Sequence, residues 1–286
     1  MADYVPDAEM MAMLSTVDSF SQYREQAAKI YSEKGRTEMY QPGWEMFDDY
    51  IGGGFGSPNR GELVVIIADT GVGKSTFMTN IALRIAPTTG QKMHYMSIEN
   101  PPEDAYNTMC HIIGTDTLGD MEKYFTAPSK AMLFGKRPWK SEDLLANMTY
   151  MTETYGTKLF ALDHLNFMFE NEEQARDQIG RIRVVMRLLS QFCMNYNATV
   201  FVVSHMNRSK TDDLITLDRV YGSTSIAGAA TKVIALNEVK ESEPRQIDVE
   251  LLKSRYTTWD RNKMVRFDVS SYDWQEVGLK SKPKKK

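Results

Sequence analysis

The chain has 286 residues, 42% of them hydrophobic, enough to bury the core of one large α/β domain or of one domain with appendages. Its formal charge is −4 although five lysines crowd into the last seven residues, KSKPKKK. The remainder is therefore acidic, and nucleic acid could bind only through a local basic surface, not through bulk charge. No apolar run reaches the ~18–20 residues of a membrane span, and the start, MADYVPDAEMM, is unlike a signal peptide. Two cysteines, Cys110 and Cys193, lack metal-ligand spacing and fit a reduced, cytosolic setting. The 19 methionines read as core filler and an apolar helix face.

In chain order, residues 7–34 are predicted helical, with Met10, Met13, Leu14, Val17, Phe20, Tyr23 and Ala27 near helical spacing. Residues 1–40 are accordingly set apart as an N-terminal helical segment. YQPGWEMFDDYIGGGFGSPNRGE, residues 40–62, is predicted to lack regular structure because of its glycines, prolines and asparagine. A rhythm of strand and helix then follows. ELVVIIA is a buried strand, KSTFMTNIALRIA a helix, KMHYMSIE a second strand, and PPEDAYNTMCHII a helix with prolines in its first turn, where missing N–H groups cost nothing. A less regular stretch runs to about Ser141, followed by a helix to Tyr155.

KLFALD is the third strand, and residues 174–195 form an amphipathic helix with Ile179, Ile182, Met186, Leu189 and Phe192 on one face. ATVFVVS and KVIALNEV are further strands, and RQIDVELLKSRY and NKMVRFDV alternate as a closing hairpin. Strands separated by helices imply a mostly parallel sheet with right-handed crossovers, extended at one edge by that hairpin. The main domain is expected over residues 41–275. Residues 276–286 are expected to be a basic, disordered tail.

Between the first strand and its helix lies IIADTGVGKSTF. Backbone N–H groups from Thr70, Gly71, Val72, Gly73, Lys74, Ser75 and Thr76 can curl around a phosphate, helped by the N-terminus of the helix beginning near Lys74. Gly71 and Gly73 permit the positive φ angles this curl needs. Lys74 can reach the β- and γ-phosphates, and the Ser75 hydroxyl can ligate Mg²⁺. Ala68 stands where the pattern G-x-x-x-x-G-K-[ST] has glycine, which is tolerated if its φ is negative. Asp163 closes LFALD, where a carboxylate can hold Mg²⁺ through water or merely cap the next turn. Glu99, closing MHYMSIE, could activate a water for attack on the γ-phosphate, or be a loop residue.

The stretch from QPGWEMF to ADTGVGKST resembles the RecA-like ATPase domain of hexameric replicative DNA helicases of the DnaB, phage ring and mitochondrial (Twinkle) types. The resemblance continues through YMSIENPPED, LFALDHLNFM, VFVVSHMNR, YGSTSIAGAATKVIALNE and LLKSR, and covers about Gln41 to Asp268. It implies an α/β fold, a RecA-like P-loop NTPase with a mostly parallel twisted sheet flanked by helices and a C-terminal β-hairpin. It also implies ATP and Mg²⁺ as cofactors, single-stranded DNA as substrate, a homo-oligomer, normally a hexamer, and contacts with other replication proteins. In the family's terms Glu99 is the catalytic base and His205 the γ-phosphate sensor. Lys253 and Arg255 reach into a neighbour's ATP site, Arg255 as an arginine finger. Read without the resemblance, His205 is a satisfied imidazole, and Lys253 and Arg255 are solvated strand charges.

The residues 206–225, MNRSKTDDLITLDRVYGSTS, correspond to a DNA-facing loop. Arg208, Lys210 and Arg219 can meet phosphates, and Gly222 and Ser223 can offer N–H groups. Asp212, Asp213 and Asp218 make the loop nearly neutral. The chain departs from the family in an acidic NFMFENEEQARDQ and in Thr257, Thr258 and Trp259, where glycines are frequent. No primase or loader-binding domain is expected before the ATPase, and the N-terminal helix is expected to dock on an adjacent subunit. The stripped form points to a phage or similar element, acting in the host cytoplasm. The function implied is an ATP-driven motor that translocates on single-stranded DNA and unwinds duplex. The alternatives are a RecA-type recombinase filament and a nucleotide-switched DNA-binding scaffold without unwinding activity.

Overall fold

The structure, a computed structural model, describes residues 23–32, 35, 37–133, 141–164, 178–205, 214–217 and 223–283. The chain divides into two compact units, residues 1–38 and 39–286. In the first, helix α1 spans Tyr23–Tyr31, with Glu25 in its first turn and Lys29 in its last, each placed to suit the helix dipole. Met10, Met13, Leu14, Val17 and Phe20 of the expected helix lie outside the described residues.

The second unit is built on one nine-stranded sheet, ordered β3-β2-β4-β5-β1-β6-β7-β8-β9. The strands are β1 Glu62–Ala68, β2 Met93–Ser97, β3 Phe125–Thr126, β4 Leu159–Asp163, β5 Thr199–His205, β6 Lys232–Val239, β7 Gln246–Ser254, β8 Lys263–Asp268 and β9 Gln275–Ser281. The six from β3 to β6 run parallel, and β7, β8 and β9 continue antiparallel. The helices of this unit are α2 Glu45–Tyr50, α3 Lys74–Thr89, α4 Pro102–Ile113, α5 Thr115–Met121, α6 Lys130–Leu133, α7 Ser141–Tyr155, α8 Gln178–Tyr196 and α9 Ser223–Ala229.

β1 is buried on both faces, and its alternation divides the core. Val64, Ile66 and Ala68 face Phe77, Ile81 and Ile85 of α3, whereas Leu63, Val65 and Ile67 share a core with Met148 of α7 and Ile182, Met186 and Leu189 of α8. The predicted apolar face of α8 is thus the buried one. At the base of β1, Glu62 and Lys232 form a fully buried pair at 2.8 Å, and Arg60 reaches the same carboxylate at 2.9 Å.

Three expectations change. Residues 40–62 do contain a helix, α2, because the breakers stop at Gly43 and resume at Gly52, and Phe47 and Tyr50 lie three apart and bury one face. The stretch before Ser141 contains α5, β3 and α6. Residues 275–281 are a strand, not part of a disordered tail: β9 pairs with β8, and Glu276 accepts the Phe47 N–H at 2.6 Å and the Met46 N–H at 3.3 Å. Lys282 pairs with Glu250. The lysine count had hidden the period-2 pattern of QEVGLKS.

Asp48 of α2 is buried, with one carboxylate oxygen accepting the Gly43 N–H at 2.9 Å and the other without a partner among the described residues. Burial is the main reason its pKa is pushed up to about 7, opposed by the Gly43 hydrogen bond. The folded state therefore holds this proton more tightly than the unfolded chain, and stability falls as pH rises from about 4 to about 7. Asp48→Asn is expected to stabilise the fold at pH 8 by about 1–2 kcal/mol and to leave it unchanged near pH 4. Thermal melting of both proteins across that range checks it.

Candidate nucleotide site

The strand-to-helix turn after β1 is closed by its own lysine. Lys74 is buried, and its ammonium donates to the Ala68 carbonyl at 3.1 Å and the Asp69 carbonyl at 2.9 Å. Gly71 and Gly73 have φ of 82° and 111°, the conformations the curl was expected to need. Ala68, the departure from the glycine pattern, is absent from the positive-φ residues and is fully buried at the end of β1. Gly73 caps α3 with no side-chain hydrogen bond, so the first-turn N–H groups lack a side-chain acceptor there. Asp69, Thr70, Gly71 and Ser75 are exposed, Gly73 and Thr76 half-buried, and Val72 buried.

Neighbouring strands bring two carboxylates, Asp163 and Glu99, to this turn, which carries a third of its own, Asp69. Burial lowers the Lys74 pKa, while Asp163, Asp69 and Glu99 oppose that shift. Asp163 ends β4 and is buried. Burial raises its pKa to about 6, a hydrogen bond from Ser75 opposes the rise, and the Glu99 charge adds to it. Its Oδ1 is buried without a hydrogen-bond partner among the described residues. That orphaned oxygen, beside the Ser75 hydroxyl, fits Mg²⁺. Among the described residues no cluster of three or more His, Cys, Asp or Glu could hold a metal, so such an ion would complete its shell with phosphate and water oxygens.

Glu99 was expected to end the second strand, but β2 stops at Ser97. The Ile98 and Glu99 N–H groups both turn to the Asp163 carbonyl, at 2.6 and 3.3 Å, which ends the ladder and leaves Glu99 in the following loop. The Glu99 side chain is 42% exposed and meets His164 Nε2 at 2.8 Å. His164 is buried, and burial lowers its pKa to about 4, so the neutral ring donates Nε2–H to Glu99. His164 was not singled out in the sequence, although it directly follows Asp163.

His205 ends β5, and its backbone is in register with Ala68, beside the turn. Arg208, Lys210, Arg219 and Gly222 lie outside the described residues. Ser223 is the first residue of α9.

Arg245 is a second residue that sequence reasoning missed. From the residue just before β7 its guanidinium donates to the Gly71 carbonyl at 3.2 Å and pairs with Glu238 at 2.8 Å. With Thr76, Tyr272 and Trp274 it lines a cleft of about 280 Å³ over Gly71–Gly73. Only the β6–β7 hairpin brings it there.

Lys253 and Arg255 are not brought to this turn. β7 runs against β6, so Ser254 pairs with Lys232, which is level with Val64 of β1. That is four residues before Ala68, about 13 Å along the strand. There Lys253 donates to the carbonyls of Ala230, at 2.7 Å, and Ala227, and Arg255 to that of Gly228. Burial, then the Arg255 charge, lowers the Lys253 pKa to about 8. Thr257, one of the residues in place of glycine, hydrogen-bonds Ser254 at 2.7 Å and the Ile51 carbonyl at 3.3 Å.

The geometry has counterparts in known proteins. The DNA helicase/primase of Enterobacteria phage T3 is 23% identical over 221 residues, 69% of this chain and 39% of that protein. The DNA repair protein RadA of Aquifex aeolicus (strain VF5) is 24% identical over 177 residues, 62% of this chain and 35% of the relative. The chain thus spans little more than a third of these curated relatives. Among solved structures, one of an ATPase domain has a TM-score of 0.70 at 16% identity, covering 96% of this chain and 100% of that one. A KaiC-like protein from the archaeon Pyrococcus horikoshii OT3 has a TM-score of 0.64 at 16% identity, covering 85% and 97%. In sequence, the AAA domain family matches residues 56–211, more than half of the chain. The chain belongs to the AAA domain family, and its fold is RecA-like.

Proposed function

We propose that this chain is the motor subunit of a Mg²⁺-dependent ATPase that assembles as a ring, normally a hexamer, and translocates on single-stranded DNA to unwind duplex during replication. The observation that carries this reading is the division of the expected site between the two ends of the sheet. Lys74, Ser75, Asp163 and Glu99 gather at one, and Lys253 and Arg255 stand at the other. A phosphate site that Lys253 and Arg255 of the same subunit do not reach suits an oligomer in which each interface completes one site. The phage relative's name, a DNA helicase/primase, supports the choice of DNA work.

In this reading the N–H groups from Thr70 to Thr76 and the Lys74 ammonium hold the β- and γ-phosphates. Ser75 and Asp163 hold Mg²⁺, which supplies charge neutralisation at the phosphates. Glu99, oriented by the His164 N–H, takes the proton of the attacking water. His205, at the tip of β5, senses the γ-phosphate, and a neighbour's Lys253 and Arg255 stabilise the charge that develops there. Arg208, Lys210, Arg219, Gly222 and Ser223 meet the DNA backbone. The second reading is a RecA-type recombinase filament, and the name of the RadA relative, a DNA repair protein, supports DNA work of that kind. Negative-stain images with an ATP analogue and single-stranded DNA separate closed rings from helical filaments.

Three outcomes test the reading. Asp163 must be ionised to hold the metal, so Mg²⁺-dependent nucleotide affinity is expected to fall as pH drops through about 6. Asp163→Asn is expected to abolish the Mg²⁺ dependence while raising stability without nucleotide at pH 8, because it removes a buried charge. Calorimetric titration and thermal melting check both.

Glu99→Gln is expected to bind ATP but lose hydrolysis by about 10²–10⁴-fold, and Arg255→Ala by about 10³-fold or more. Mixed after confirmed subunit exchange, or tethered as one chain of two subunits, the two variants regain turnover at the interface that pairs an intact Glu99 with an intact Arg255. A tethered pair that stays inactive places Arg255 outside the neighbour's site.

Neutralising Arg208, Lys210 and Arg219 together is expected to weaken single-stranded DNA binding and to reduce the slope of affinity against salt. An unaltered slope removes these residues from the interface.

A further inference from the structure

Helix α9 is weak by its own sequence and is held by two cations from elsewhere in the chain. It has seven residues, STSIAGA, just under two turns. Helices this short do not persist unaided in water, and serine, threonine and glycine all form helix less readily than alanine. Ile226, and Ala230 just beyond the helix, are buried with Ile182, Met186 and Leu189 of α8, which fixes one face. The carbonyls of its last turn are satisfied from the end of β7. Lys253 donates to Ala230 at 2.7 Å and to Ala227, and Arg255 donates to Gly228. Cations at a helix C-terminus fill orphan acceptors and offset the negative end of the dipole. A Cβ on Gly228 would meet nothing within 4 Å, so the helix is not wedged in place there.

This arrangement leaves the cations unevenly matched. Burial, and then the Arg255 charge, lower the Lys253 pKa, so the two groups repel each other across the helix end. Neutral carbonyls are the weaker acceptors for them, because a charged phosphate oxygen makes the shorter and stronger bond. An ammonium that already holds two carbonyls has one donor left, so full engagement of a phosphate means giving up the helix. These are the side chains that the reading above sends to a neighbour's nucleotide. Ser223, a proposed DNA contact, is the first residue of the same helix, about 9 Å along its axis from the capped end. Arg208, Lys210, Arg219 and Gly222 precede it in the sequence.

We propose that Lys253 and Arg255 form an exchangeable cap: they hold the last turn of α9 while the neighbour's site is empty, and a triphosphate in that site draws them away and loosens the helix. The inference rests on the ATPase reading above and adds to it a route, through α9, from the neighbour's nucleotide to this subunit's DNA contacts. Uncapping leaves the Ala227, Gly228 and Ala230 carbonyls without these donors, and a helix of under two turns has few bonds of its own to hold it. Departure of the γ-phosphate returns the cations to the carbonyls, and the helix tightens again. The coupling is reciprocal: whatever orders α9 makes the cations harder to draw off.

Hydrogen exchange over residues 223–230, read by mass spectrometry on the full chain, tests this. Without nucleotide, and too dilute to associate, Lys253→Met/Arg255→Met should exchange there about tenfold faster than the wild type, as loss of charged hydrogen bonds to the last turn requires. In the wild type at assembling concentrations, an ATP analogue with Mg²⁺ should speed exchange of the same segment relative to ADP. Gly228→Ala keeps the carbonyl that Arg255 uses and places a better helix former in open space, so it should fold as the wild type does. It should cut the analogue-dependent acceleration about fivefold, the difference between glycine and alanine in a helix. The dependence of single-stranded DNA affinity on analogue against ADP should shrink in the same variant.

If α9 of the double variant exchanges as slowly as that of the wild type, the cations do not hold the helix and the inference is overturned, whatever the ATPase activity. If they hold it, but the analogue leaves exchange as ADP does or slows it while hydrolysis still requires Arg255, the cap is not exchanged; the inference is overturned and the ATPase reading stands. Gly228→Ala carries the test alone if the double variant does not fold, and an acceleration equal to that of the wild type then overturns the inference. If the wild type neither hydrolyses ATP nor associates with nucleotide, the ATPase reading fails and the exchange of the cap with it.

Discussion

A parallel sheet has two chemically different ends, and strand direction decides which residues can meet. β1, β2, β4 and β5 all point their C-terminal ends the same way, and those ends, with the turns that leave them, carry Lys74, Glu99, Asp163 and, by its backbone, His205. This is the end at which open α/β sheets place ligands, because the adjoining helix N-termini and unpaired strand-end groups converge there. β7 reverses direction against β6, so its start delivers Arg245 to the same end and its finish delivers Lys253 and Arg255 to the other. The interface logic proposed above follows from that reversal more than from any single side chain.

The antiparallel strands also support the turn from beneath. Trp44 stacks on Phe77 of α3 with centroids 5.7 Å apart, and Phe267 of β8 and Trp274 close the cluster at 4.9 Å from Trp44 and 5.0 Å from Phe77. The Trp44 indole N–H donates to the Trp274 carbonyl at 3.0 Å. Each such ring removes enough apolar surface from water to contribute roughly 1.5–3 kcal/mol. A Cβ on Gly73 would sit 3.0 Å from Trp274, so the glycine at this point serves close approach as well as its positive φ. The cluster fixes where α3 begins, and thereby where its uncapped N–H groups point. At the other end of β1 Glu62 is buried between Lys232 and Arg60, and losing its carboxylate would strand the fully buried Lys232 ammonium in the core.

Much of this was legible in the sequence because it is periodic or punctuated. The apolar run of β1, the glycines and lysine after it and the apolar face of α8 each follow from local pattern, and the structure places them as read. What was not legible depends on contacts between distant residues. MHYMSIE gives no sign that its ladder stops at Ser97, because the acceptor that ends it is the Asp163 carbonyl. Arg245 lies 174 residues from the Gly71 carbonyl it reaches, and nothing near it in the sequence marks a phosphate loop. His164 was visible beside Asp163, but a lone histidine announces no role until a partner such as Glu99 is seen 2.8 Å away. α2 and β9 were obscured for related reasons: glycines around one and lysines after the other outweighed short patterns whose stability comes from each other, through Glu276.

The protonation balance of the nucleotide end follows from the same burial that makes it precise. Burial works against the charged form of Lys74 and of Asp163 alike, lowering one pKa and raising the other. Their mutual attraction offsets part of that cost, but Lys74 directs two of its three donors to the Ala68 and Asp69 carbonyls, and Asp163 keeps one oxygen without a partner among the described residues. Both groups are thus held in place by the fold yet incompletely satisfied by it. A ligand bringing anionic oxygens to the lysine and a cation to the carboxylate would stabilise both charged forms at once, and neither half of that ligand would do so alone. In the ATPase reading proposed above, selectivity for a metal–phosphate pair over free phosphate or free metal would draw on this buried pair as well as on the N–H groups of the turn.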